Sequence, residues 1–215
     1  MTKNTDAQFG ANEFVLHSVV VKGFASEASL QIATGIPAGQ VHAVLNAYRQ
    51  QGLVAYREGR VVGWSATADG RNLNRSNLDT SLNTGAVQRM AAIYATFKVA
   101  NTQIKELCTR WQLRSSTSSN PILNDHTDEA YDQGIIGELR KFHGSAARTC
   151  RDLGEVVERF DIYEVRLGNA LAAIEAGHTE QFTQPLSDSY HDIWMELHQD
   201  LLLTLNLQRG EKEDA

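Results

Sequence analysis

The chain has 215 residues, 42% of them hydrophobic and 21% charged, the balance of a globular protein with room for one large domain or two small ones. No stretch approaches the roughly 18 consecutive apolar residues of a membrane span, and Met1-Thr2-Lys3-Asn4-Thr5-Asp6 lacks the charged-then-apolar pattern of a secretion leader. The net charge of −6 divides unevenly, +1 over residues 1–80 and −7 over residues 81–215, so any contact with nucleic acid would fall on the N-terminal part.

Residues 13–22, EFVLHSVVVK, form an apolar segment ending at Gly23. Phe14, Leu16, Val19, Val20 and Val21 suit a first core helix, although a run so rich in Val leaves helix against strand open. Ser26 and Glu27 then open a short helix as N-cap and dipole partner, and Thr34-Gly35 stops it. Pro37 begins the next helix, where Val41, Val44, Leu45 and Tyr48 recur at helical spacing until Gly52. Two helices about so tight a turn make a helix-turn-helix. Leu53–Tyr56 and Val61–Trp64 follow as strands around an Arg57-Glu58-Gly59-Arg60 turn.

This order resembles the winged-helix regulators of the MarR type. The features that carry the resemblance are "ATG" at 33–35, "QQGLV" at 50–54 and "GWSATADGR" at 63–71, which is similar to the family's W-x-L-T-x-x-G-R exit into the next helix. It covers roughly residues 13–75. It implies that the second helix of the motif enters the major groove of double-stranded DNA, bringing Pro37, Gly39, Gln40, His42, Ala43 and Asn46 to base edges. Gln40 and Asn46 suit bidentate contacts to adenine, His42 can donate to a base or phosphate, and Ala43 can pack on a thymine methyl. Arg49 lies at the far end of that helix, and Arg57 and Arg60 at the wing tip are the better phosphate contacts, with Glu58 opposing them. His17 reads as a packed helix residue rather than a ligand.

Residues 84–113 read as one long helix in which Met90, Phe97, Ile104 and Trp111 repeat at seven, with Tyr94, Asn101 and Cys108 offset by four. Such a seam is expected to serve a homodimer, with Asn101 setting register; one long helix of an intrachain bundle would show the same periodicity. Cys108 and Cys150 stand in no paired motif, which fits a reduced cytoplasm better than a disulfide framework. Residues 114–128, Ser-rich with Pro121, have loop composition.

Three more helices are expected, over 127–143 with Thr127 as cap, over 145–176, and over 186–207, and the tail from 208 to 215 is expected to fray. With residues 84–113 these make a four-helix arrangement. His191 and His198 share a face of the last helix near Glu196, with His143, His178, Asp188 and Asp192 as further candidate neighbours. That set resembles the helical ligand domains of GntR-type regulators, some of which hold a metal, yet one pair on one helix defines no coordination geometry and no metal or other cofactor is expected. "WMELHQDLLLTL" at 194–205 is similar to segments of actinobacterial proteins related to pyruvate, phosphate dikinase, which implies at most a regulatory or accessory partner. No G-x-S-x-G, C-x-x-C, H-E-x-x-H or Walker sequence is present, and no catalytic activity is expected.

The sequence thus reads as mostly α. A winged helix-turn-helix over 10–78 is followed by a helical dimerisation and effector unit over 82–207. The expected function is a dimeric DNA-binding transcriptional regulator, with a small-molecule effector pocket around Tyr163, His191, Trp194 and His198. The alternative is a winged-helix interaction or adaptor module that does not read DNA.

Overall fold

The structure, a computed structural model, describes residues 9–59, 62–115 and 121–208. The first helix, α1 (Ala11–Lys22), ends at Gly23, whose φ of +70° suits glycine, and it buries Val15, Leu16 and Val19. The Val-rich run is therefore a helix. Helix α2 (Glu27–Thr34) is capped by Ser26, whose hydroxyl accepts from the Ser29 N–H, and α3 (Ala38–Gln50) follows Pro37.

Strands β1 (Val54–Arg57) and β2 (Gly63–Ala66) pair antiparallel, Tyr56 opposite Trp64. The second strand lies two residues beyond its expected place because a third segment fixes it. Ala25 and Trp64 exchange both backbone hydrogen bonds, at 2.9 and 2.8 Å, ahead of α2. Gly63 is required there, since a Cβ would stand 2.7 Å from the Ala25 carbonyl oxygen. Helix α4 (Ala68–Ser81) leaves the hairpin through Thr67, which caps Gly70 N–H and donates to the Gly52 and Leu53 carbonyls. Gly70 faces Leu53 so closely that a Cβ would lie 2.0 Å from its carbonyl oxygen. The Thr67 and Gly70 pair of "TADG" is thus the seam between hairpin and helix.

Helix α5 (Thr84–Gln112) runs as expected, capped by Asn83. The expected loop beyond it contains a short antiparallel pair, β3 (Leu113–Ser115) with β4 (Ile122–Leu123). Asn124 ties this pair down, donating to the Trp111 carbonyl and to Asp132. Helix α6 (Glu129–Gly154) is capped by Asp128 rather than Thr127, whose hydroxyl donates to Asp125.

Helix α6 passes straight through the break expected near residue 144. Gly144 has open space around it, and the apolar period continues through Ala146, Ala147, Cys150 and Leu153. The chain breaks instead at Gly154, where a Cβ would overlap the Asp161 carboxylate. After a short 3-10 turn at Glu158–Phe160 come α7 (Asp161–Glu175) and, capped by Ser189, α8 (Tyr190–Thr204).

Two apolar cores result. One joins α1, α2, α3 and the hairpin around Leu16, Leu30, Leu45 and Trp64. The other joins α5, α6, α7 and α8 around Phe97, Leu139, Phe160 and Trp194. Among the described residues no helix is long and apolar enough to cross a membrane.

Candidate nucleic-acid interface

Helix α3 buries Val41, Val44 and Leu45 against its own unit, and its opposite face is uncovered. Gly39, Gln40, His42, Ala43 and Arg49 are exposed on that face, and Asn46 is half-exposed. These are the positions expected to meet base edges. Arg57 ends β1 and is also exposed, whereas Arg60 lies outside the described residues.

Glu27, read from sequence only as a dipole partner, organises this face. Its carboxylate accepts from Trp64 Nε1 at 3.3 Å and from His42 Nδ1 at 3.1 Å, linking the start of α2 to β2 and α3. Asn46 Nδ2 in turn donates to His42 Nε2 at 2.8 Å. With Nδ1 as donor and Nε2 as acceptor, the chain Asn46, His42, Glu27 has a consistent direction. It leaves Asn46 one amide N–H and its carbonyl oxygen, the pair that a bidentate contact to adenine uses. A lone Glu gives no sequence signal for such a role, because its partners lie 15 and 37 residues away.

The α5 seam, expected to lie in a dimer contact, is filled from within the chain. Met90, Tyr94, Phe97, Asn101, Ile104 and Trp111 are all buried in the four-helix core. Phe97 stacks on Trp194 of α8 with ring centroids 4.7 Å apart, and Asn101 Oδ1 accepts from Trp194 Nε1 at 3.0 Å. The polar residue in the seam sets register between α5 and α8 of one chain. Heptad spacing alone does not say which helix supplies the partner face.

None of the openings found among the described residues is lined by Tyr163, His191, Trp194 or His198, the four residues expected around an effector. Trp194 is spent on α5, Tyr163 donates to Asp200 Oδ2 at 3.2 Å, and His198 Nε2 lies 3.3 Å from the Tyr94 hydroxyl. His191 is half-buried, and burial holds its imidazole below the usual histidine range. The other residues of the histidine set also scatter, with His143 beside the Tyr190 hydroxyl and His178 beside Glu180. Among the described residues no three His, Cys, Asp or Glu side chains are grouped to hold a metal.

Where the winged helix meets the bundle, charges replace apolar packing. His17 of α1 is buried, with Nδ1 3.0 Å from Asn74 Oδ1 of α4 and Nε2 2.9 Å from Asp200 Oδ1 of α8. Asp200 also accepts from Arg159 at 3.0 Å and from Thr204 at 3.0 Å. Burial alone would raise this carboxyl, but Arg159 and His17 hold it well below the usual carboxylate range.

A second cluster lies toward the start of α8. Lys22 Nζ reaches Asp188 at 3.0 Å and Glu196 at 2.5 Å, and Arg166 reaches the same two carboxylates at 2.7 Å each. The sequence does carry a trace of this junction. Asp192, Glu196 and Asp200 recur every four residues along α8, and Asp188, just before its cap, continues the same spacing. Comparison with family models, with curated proteins and with solved structures gave no match.

Proposed function

We propose that the chain is a DNA-binding transcriptional regulator of the winged-helix type, related in its N-terminal unit to the MarR-like regulators. One observation carries the reading. The outer face of α3 is left bare while its inner face is packed, and it presents polar groups already ordered by Glu27. Helix α3 would lie in the major groove, with Asn46 and Gln40 at base edges and Arg49 and Arg57 at phosphates. A symmetric operator calls for a dimer, and its pairing surface would be one other than the buried α5 seam.

The second reading, an adaptor whose winged helix binds protein, is favoured by the charge of this face. Arg49 is the single Lys or Arg on α3, and the His42 ring is already engaged by Glu27. An electrophoretic shift against the DNA upstream of the chain's own gene separates the two. The regulator binds at low salt and weakens when Arg57 and Arg60 are changed to Ala; the adaptor does neither.

A further inference from the structure

The largest opening among those described lies between the two units, a groove of about 540 Å³. One wall is the end of α1 and the segment after it, with Val20, Val21 and Phe24; the other is α8, with Asp192 and Met195. Val62 and Leu186 stand exposed at its rim. Its volume falls in the range of small-molecule sites, and its walls are mixed, with Val20, Val21, Phe24 and Met195 beside Lys22, Asp188, Asp192 and Glu196.

The charges around it do not cancel. Lys22 and Arg166 close on Asp188 and Glu196, two cations against two anions. Among the described lining residues Asp192 is the charge left over. Its Oδ2 accepts from the Ser187 N–H at 3.0 Å, and among the described residues no Lys, Arg or His forms an ion pair with it. Half-buried and in no ion pair among the described residues, it sits on the groove wall near Lys22 and His191 with acceptor capacity to spare. Burial, helped by the Glu196 charge one turn further on, outweighs the Ser187 N–H and the His191 and Lys22 charges and moves its carboxyl up from the usual carboxylate range. A bound cation would reverse that.

We propose that this groove binds a small organic ammonium compound, its charged nitrogen on Asp192 and its apolar body between Val20, Val21, Phe24 and Met195. A ligand there touches both units at once and biases how the winged helix sits on the bundle. The regulatory consequence rests on the DNA-binding reading; the binding itself does not.

The test uses the full chain without DNA, with its Val and Met methyl groups isotopically labelled for NMR titration. The probes are 2-phenylethylamine, which is an ammonium ion at neutral pH, and phenylacetate, its anionic counterpart of similar size. The amine is expected to saturate, to shift the methyls of Val20, Val21 and Met195, and to bind at least about tenfold tighter than phenylacetate. Asp192→Asn should cost about tenfold in amine affinity, and Gln199→Lys, which adds a cation to the same wall, should weaken it without touching the Asp192 carboxylate. Thermal melts establish that each variant is folded, and should Asp192→Asn unfold, Gln199→Lys decides alone. Equal or tighter binding of phenylacetate, shifts outside the groove, unchanged affinity in a folded variant, or no saturation by the amine overturns the proposal. Because no DNA is present, loss of this site leaves the DNA-binding reading standing, and the reverse holds too.

Discussion

His17 of α1 and Asp200 of α8 lie 2.9 Å apart, each with about 1% of its side chain exposed. Between them they fasten the winged helix to the bundle at a point where neither core extends. Arg159 completes the balance on Asp200, with Thr204 and Tyr163 as neutral donors. A buried charge network is a costly way to join two units, and removal of one member leaves the others unpaired.

Asp200→Asn is therefore expected to cost about 3 kcal/mol of stability, because Arg159 and His17 stay buried without their anion. The pH dependence has a definite sign. The folded carboxyl is held below its unfolded value, so the unfolded chain takes up the proton. This share of stability is complete above about pH 5 and is lost as pH falls below it. Urea unfolding at pH 6 and at about pH 3.5 measures both; the difference between wild type and Asp200→Asn should shrink at the lower pH.

Two glycine substitutions should act in opposite directions. Gly70→Ala places a Cβ on the Leu53 carbonyl, which neither backbone can yield easily, and should destabilise by about 2 kcal/mol or more. Gly144→Ala meets open space inside α6 and should stabilise by about 1 kcal/mol. Thermal melts of the two variants decide this.

Phe97→Ala tests the place of the α5 seam. Removing a ring stacked on Trp194 within one chain should cost about 3–5 kcal/mol of folding stability. Sedimentation together with circular dichroism would expose the opposite case. A seam between chains would give a folded monomer from a dimeric wild type.

Glu27→Ala should loosen the hairpin and α3 together, because Trp64 and His42 lose one shared acceptor. The site is partly exposed, so the expected loss is modest, about 1 kcal/mol. Glu27→Gln keeps an acceptor oxygen and should retain most of it. Hydrogen exchange of the Ala25 and Trp64 amides, which exchange backbone bonds, reports it locally.

Local chemistry was legible in the sequence where it acts over a few residues. Ser26 as a cap, Gly23 and Gly35 as stops, and the 84–113 helix all follow from short-range rules. Pairings across long separations were not. Strand β2 is placed by Ala25, 39 residues earlier in the chain by backbone pairing to Trp64, and Lys22 finds Asp188 at a separation of 166. Gly144 looks in sequence like any helix stop, and only its open surroundings, against the crowded Gly154, tell the two apart. Of the candidate interface, α3 was readable by its period. Glu27, the group that orders it, was not, because an acidic residue in a first turn already has a sufficient local reason.

Whether α3 reads DNA is decided by the salt dependence of binding by wild type, Arg57→Ala and Asn46→Ala. Fluorescence anisotropy would compare the upstream DNA with an unrelated duplex of equal length. Arg57→Ala is expected to weaken both duplexes alike and to lower the salt slope by about 1. Asn46→Ala should instead narrow the gap between the duplexes by about 1–3 kcal/mol. Absence of binding by the wild-type chain at low salt, or a gap that Asn46→Ala leaves unchanged, would contradict DNA reading by α3.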